Sequence, residues 1–364
     1  MATAGGVYPR WVTRSRLAAA AALSALLFAS ACSDTDDGGS EGSSSGSGGS
    51  DSGSQTSSAA ESDTVTAAPE GVASVSLEEA QDIATNLLST AAQVQNGDGE
   101  EIADDAESAY RGHTYYAALA ADELEAVEGK PERRDLISDP VEPNVLAISR
   151  EDGQSPLLIL VQTVPDSGAP ELFVLSSPDD DPDRFRIAWW APMLPGTDIG
   201  SFDRRSVGSP VVRQGAGDLS RSPRRAFTQL AELVDYPRAE DPAQIKTNGY
   251  APQVREAAQK QADEVSEQAR FSEKNALRTQ TYTFYREDGS AVSFAALKRE
   301  SEFDVRDGME LTPPEAFLAF EDDESITARA RLDSYVYAAL TIPQDDSRPE
   351  MIAAREQLIN AAGS

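Results

Sequence analysis

The chain holds one histidine, His113, and one cysteine, Cys32, and these two counts limit its chemistry. A lone histidine can serve as a general base or a metal ligand. It cannot build a zinc site without further donors, and one cysteine excludes an internal disulfide. His113 lies between Tyr110 and Ala117 on an apolar helical stripe, the setting of a packed, hydrogen-bonded structural histidine. Alternating carboxylates come next. Asp179, Asp181 and Asp183 could converge on calcium, but the EF-hand pattern then needs Gly at its sixth position and Glu at its twelfth. Arg184 and Trp190 stand there, so the run reads as a solvated hairpin tip, as does Glu321-Asp322-Asp323-Glu324 ahead of a strand. Glycoside hydrolysis needs two carboxyls about 5–9.5 Å apart, and 62 acidic residues give no means of choosing a pair. Gly42-Ser43-Ser44-Ser45-Gly46 matches a hydrolase pattern, yet it sits in a Ser/Gly repeat and not on a strand-turn-helix. No phosphate loop, zinc-protease helix or dinucleotide fingerprint is present. No catalytic, cofactor-binding or metal-binding residue is therefore assigned.

Charge narrows the partners. The chain carries 62 acidic against 31 basic residues, formally −31. Such a field repels phosphate backbones and anionic headgroups, which argues against nucleic acid and against direct docking of the folded surface on anionic lipid.

The beginning of the sequence has the three parts of an export signal. Arg10, Arg14 and Arg16 make it positive, an uncharged Leu/Ala-rich run follows over residues 17–31, and Ala29-Ser30-Ala31 are small. That run would span about 22 Å as a helix, short of a bilayer core of about 30 Å. Small residues suit the narrow cleft of a signal peptidase, and the cysteine directly after them resembles a lipobox. The resemblance implies cleavage between Ala31 and Cys32, and a diacylglycerol thioether with further acylation, palmitate included, on Cys32. The pattern usually has Leu three residues before the cysteine, whereas Ala29 stands here.

Residues 32–72 are rich in Ser, Gly, Asp and Glu. They cannot bury enough apolar surface to offset the entropy of ordering, so they are expected to form a tether with a root-mean-square span of about 35 Å.

Two helix-then-sheet units are expected after it, over residues 73–205 and 206–364. Ser76 and Glu79 form a capping-box pattern, with Val75 as the staple residue. Leu77, Ala80, Ile83, Ala84, Leu87, Leu88 and Ala91 recur at helical spacing. A second, continuous helix is predicted over 102–127, weakened by about 1 kcal/mol at Gly112, whose small size is read as a close-packing point. Four strands follow at 145–150, 156–164, 171–177 and 184–190. The order then recurs: a helix opening at Ser222-Pro223, a polar helix over 253–271, and strands at 278–286, 291–300, 302–306 and 326–340. Residues 351–359 fit a last strand or a helix. Arg150-Glu151-Asp152-Gly153 reappears as Arg286-Glu287-Asp288-Gly289, an offset of 136 residues, and apolar strands flank both copies. That repetition points to duplication. Trp189 and Trp190 should face opposite sides of their sheet, one of them into the core and the other either under a helix or lining a cone-shaped pocket. Tyr282, Phe284, Phe294 and Phe303 could line the second sheet's concave face.

The expected class is α+β. The layout resembles the cystatin-like, nuclear-transport-factor-like cone, in which helices pack into a bent antiparallel sheet. Lipobox, acidic tether and two α+β halves together resemble the uncharacterised lipoproteins of actinobacteria, a family with a domain of unknown function. The resemblance implies a lipid-anchored protein on the extracytoplasmic face of the cell membrane and brings no catalytic residues with it. The expected activity is non-enzymatic: binding a ligand or an envelope protein, or scaffolding the envelope. The alternatives are a carboxylate hydrolase of envelope polymers and weak divalent-cation binding on acidic loops.

Overall fold

A computed structural model describes residues 71–96, 102–128, 142–152, 156–165, 168–179, 181–212, 215–238 and 244–364. The export signal, the Ala31–Cys32 junction, the tether up to residue 70 and Gly153 lie outside these residues. The fold is α+β, with six helices and two antiparallel sheets among the described residues.

Helix α1 (Leu77–Asn96) starts where Ser76 places it: the Glu79 N–H donates to Ser76 Oγ at 3.1 Å. The predicted second helix is two helices, α2 (Ile102–Ala109) and α3 (His113–Glu128). Gly112 separates them at φ +57, with nothing within 4 Å of the place a Cβ would occupy. Its role is thus the left-handed turn, which glycine enters without strain, and not close packing.

The first sheet is a meander of β1 (Asn144–Ile148), β2 (Leu157–Thr163), β3 (Glu171–Ser177) and β4 (Arg186–Pro192). Helix α4 (Pro223–Val234) has Ser222 as its cap, with Ser222 Oγ accepting from the Arg225 N–H at 3.3 Å, and Pro223 in the first turn. Helix α5 (Tyr250–Val265) ends earlier than the sequence predicts. The residues after it form β5 (Ala269–Leu277), whose alternating burial runs through Ala269, Phe271, Glu273 and Asn275. Two of those inward positions are polar, so hydropathy hides the strand period. The second sheet adds β6 (Tyr282–Tyr285), β7 (Ala291–Val305), β8 (Arg329–Ile342) and β9 (Glu350–Gly363), with the short α6 (Glu315–Leu318) before β8. Strand β7 is continuous through Ser301, which was expected to divide two strands, and the last segment is a strand.

The second sheet contains its own four-strand meander, β6-β7-β8-β9, with β5 paired to the far half of β7. The repeated turn sequence joins the first two strands of each meander, β1 to β2 and β6 to β7. The four-residue sequence thus falls between corresponding strands of the two meanders. Arg150 also holds the long connector: its guanidinium donates to the Gly208 carbonyl and pairs with Asp203 at 2.9 Å.

The two sheets pack face to face. Leu158, Leu160, Leu172, Val174, Ala188 and Trp189 from the first meet Phe284, Val292, Phe294, Tyr337, Ala339 and Ile352 from the second. The opposite face of the first sheet, with Ile159, Val161, Phe173 and Trp190, is covered by α1 and α2. The opposite face of the second, with Ala295, Leu297, Val336 and Leu340, is covered by α4. Each sheet is therefore buried on both sides, which explains why its strands read as nearly continuous apolar runs. Tyr282, Phe284 and Phe294 line the sheet-sheet core and Phe303 belongs to a separate apolar cluster with Phe271 and Phe317.

Candidate functional site

Where β4 ends, the chain crosses to β9. The Met193 N–H donates to the Pro170 carbonyl at 2.7 Å and the Leu194 N–H to the Ile352 carbonyl at 2.7 Å. Helix α3 lies over this edge and packs against β9 and β4. Its first turn is pinned by Thr114, whose hydroxyl donates to the Ile187 carbonyl at 2.6 Å. The left-handed Gly112 is what turns the chain into that position. Beside this edge Glu171 of β3, Trp190 of β4, Tyr337 of β8 and Arg355 of β9 come together in a seam, with His113 of α3 against Tyr337.

Arg355 is half-buried and its guanidinium carbon sits 3.7 Å from the Trp190 ring centroid and 5.8 Å from that of Tyr337. Trp190 is backed in turn by Phe173, stacked at 5.9 Å. One guanidinium nitrogen, Nη2, donates to Gln357 Oε1 at 3.0 Å. The Tyr337 hydroxyl donates to the His113 carbonyl at 3.2 Å, so Tyr337 is fixed by α3. The His113 ring lies 5.6 Å from Tyr335 and 5.3 Å from Tyr337, edge-on to the latter.

Burial decides the charges here. It pushes the Glu171 carboxyl up to about 8, against the opposing pull of the Arg355 guanidinium. It brings His113 down to about 4, helped by the positive charge of Arg111. It also raises the Tyr337 phenol. Burial thus favours the neutral forms of Glu171 and His113 at neutral pH; it lowers Arg355 as well, but a guanidinium starts so high that it keeps its charge. The seam is a guanidinium on an aromatic floor beside a neutral carboxyl. It can receive a negative group by charge-assisted hydrogen bonds.

A second polar cluster is closed. Arg299, 1% exposed, donates to Glu356 Oε2 at 2.7 Å, to Asn275 Oδ1 at 3.2 Å and to the Tyr250 hydroxyl at 3.3 Å. Glu273 beside it accepts from Ser301 at 2.9 Å, while its other oxygen is buried without a partner. Burial pushes the Glu273 carboxyl up, the Arg299 charge opposes this, and the Glu356 charge adds to the rise.

The residues singled out from sequence fall as follows. His113 is packed against the two tyrosines, but at the start of α3 and not within a long helix. Its Nδ1 is buried without a hydrogen-bond partner, which corrects the expectation that it is hydrogen-bonded. Trp189 enters the sheet-sheet core and Trp190 the helix-covered face, as strand alternation requires. Asp181 caps a 3-10 turn (Pro182–Arg184) by accepting from the Asp183 N–H at 3.0 Å, and Asp179 pairs with Arg184. Both carboxylates are thus engaged locally. Asp183 and Pro182 border a shallow depression with Glu78, Glu79 and Asp82 of α1. Residues 321–324 are a largely exposed stretch before β8. Among the described residues no three potential metal ligands converge. Cys32 and Ala31 lie outside the described residues.

Glu171, Arg355, Glu273 and Arg299 were not visible as site residues. Glu171 heads an apolar run, a signal that could have marked it, while Glu273, Arg299 and Arg355 stand among other charged and polar residues. Their partners, however, come from strands far apart in sequence. The sequence matches no protein-family model and no curated protein.

Proposed function

We propose that this chain is a lipid-anchored protein of the extracytoplasmic face of the cell membrane, attached through Cys32, whose folded part binds a ligand or an envelope protein without catalysing a reaction. Anchoring draws on the lipobox resemblance and on the fact that no helix of the described residues is long and apolar enough to cross a membrane. The binding reading draws on the surroundings of Glu171. Among the described residues, the charged side chain that acts on it is Arg355, a recognition group. Hydrolysis of a polymer by carboxylates asks for a second acid facing the first across an open cleft. Glu273 and Glu356 do converge on Arg299, but Glu273 is 1% exposed, so a polymer has no approach to both. The acidic body and the tether fit the same reading: a surface repelled by anionic lipid stays near the membrane only if held there, and stable holding takes more than one acyl chain.

The test uses the full chain in its own envelope. The unaltered protein should partition with membranes, and Cys32→Ser should release it to the soluble fraction. Cross-linking in cells should give the same discrete adducts repeatedly with the anchored form. Retention of Cys32→Ser in membranes would overturn the anchor. Fragment release from isolated envelope by the purified protein, abolished in Glu171→Gln, would overturn the non-enzymatic reading.

A further inference from the structure

The second sheet pairs its shielded cations with carboxylates, with one exception. Among its strands, the basic side chains that are not exposed are Lys298, Arg299, Arg331 and Arg355. Lys298 meets Glu300 and Asp333, Arg299 meets Glu356, and Arg331 meets Asp333. Arg355 has no carboxylate within ion-pair distance among the described residues, in a chain with twice as many acids as bases. Its recorded hydrogen bond goes to the neutral Gln357. Guanidinium carries five N–H donors, the bond to Gln357 uses one of them, and Arg355 is partly exposed. Glu171 completes the picture: its carboxyl has no hydrogen-bond partner among the described residues, so its proton too is available for donation.

We propose that the Arg355–Trp190 shelf binds the carboxylate of a peptide-like ligand. Three features select that group. The planar fork of an arginine matches a carboxylate bidentately, and stacking on Trp190 fixes the plane of the fork before the ligand arrives. The Glu171 O–H supplies a third donor of the kind a carboxylate accepts. The strongly acidic body disfavours every anion, and it disfavours a dianionic phosphate more than a monoanion. The proposal rests on the binding reading above and names the chemistry of one of its contacts.

The charged and titratable groups that face the seam are Glu171 on β3, Tyr110 just after α2, Arg111 and His113 at the start of α3, Tyr335 and Tyr337 on β8 and Arg355 itself. Of these, Glu171 is the one that changes charge between neutral and mildly alkaline pH. Once ionised, it competes with the ligand for Arg355.

The experiment titrates the full-length protein with N-acetylglycine, and separately with N-acetylglycinamide and inorganic phosphate, at matched ionic strength and about pH 6.5. The indole N–H resonances of Trp190 and Trp189 are followed. The acid should move the Trp190 resonance saturably, the amide should not, and Trp189, on the opposite face in the sheet-sheet core, should stay still. Arg355→Gln should weaken binding at least about tenfold, roughly 1.4 kcal/mol. Raising the pH to about 9.5 should weaken it in the unaltered protein and not in Glu171→Gln. An unmoved Trp190 up to about 50 mM acid, an equal response to the amide, or tighter binding of phosphate would overturn the proposal. The acid-against-amide comparison on the unaltered protein decides the matter even if Arg355→Gln does not fold. Failure here leaves the anchored-binder reading standing, since that reading falls on fractionation and cross-linking instead.

Discussion

Trp189 on β4 donates its indole N–H to the main-chain carbonyl of Ala295 on β7 at 2.9 Å, reaching from one sheet to the other. The same ring meets Phe294 edge-on at 4.9 Å. The side chain is fully buried, so the bond has no solvent to replace it. Trp189→Phe removes the donor and leaves a void between the sheets. The expected cost is about 2–3 kcal/mol. Because the sheets share that core, urea unfolding should remain one transition in the unaltered protein, seen alike by far-ultraviolet circular dichroism and by tyrosine fluorescence. Two separated transitions would show that the halves unfold independently.

Gly112 offers a cleaner measurement, since its cost has one source. At φ +57 with open space around it, an added methyl clashes with nothing. Gly112→Ala should therefore cost only the left-handed backbone penalty, about 1–2 kcal/mol. Gly112→Asn should cost less, because asparagine tolerates that conformation. The measurement is the shift in urea midpoint. Equal losses for the two variants would point to a packing role.

The elements that were legible in the sequence are those in which local chemistry and burial agree. Ser76 and Ser222 announce their helices because a side-chain oxygen can satisfy an orphan N–H wherever the helix later packs. Strand β3 could be read to the residue because it is buried on both faces and its middle, Leu172 to Leu175, is an unbroken apolar run. Strand β5 could not: Glu273 and Asn275 point inward to meet Arg299 and Ser301, and a strand that buries polar groups has no hydrophobic period. The seam was hidden for a related reason. Arg355 and Glu171 become neighbours only when β9 is laid beside β4, and sheet pairing between distant segments leaves no mark in local sequence. Trp190 was read as packed on one face of its sheet, but nothing near it in sequence says that an arginine covers it.

Glu171 and His113 give the seam an opposing pair of pH dependences. Glu171 moves from 4.5 to about 8, so over that interval the folded state holds more protons than the unfolded state and stability falls as pH rises. His113 moves from 6.5 to about 4, so over that interval the unfolded state holds more protons and stability rises with pH. The two slopes offset one another between 4.5 and 6.5. Above 6.5 Glu171 acts alone, and its loss cannot exceed about 1.4 kcal/mol per pH unit. Partial exposure of Glu171 keeps the loss below that ceiling. Chemical denaturation at steps from pH 5 to 9 should show Glu171→Gln gaining on the unaltered protein as pH rises towards 8. Parallel curves would mean that Glu171 ionises as freely in the fold as outside it.

The Arg299 cluster should respond asymmetrically to losing its charges. Arg299 is a buried cation with Glu356 as its ion-pair partner, and Glu273 stands next to it with one oxygen unpartnered. Removing the cation in Arg299→Met strands the carboxylate of Glu356 with little water to solvate it, and such stranding costs about 3–5 kcal/mol. Removing the charge of Glu273 is different. Burial already holds that carboxyl towards its neutral form, and a glutamine keeps the oxygen that accepts from Ser301. Glu273→Gln should therefore be neutral or gain up to about 1 kcal/mol. The double variant should be less impaired than the sum of the two, because Glu273→Gln removes one of the acids that Arg299 offsets. A double-mutant cycle by urea denaturation reads all three values. A loss above about 2 kcal/mol for Glu273→Gln alone would show that Glu273 is ionised in the fold and that its negative charge holds Arg299 in place.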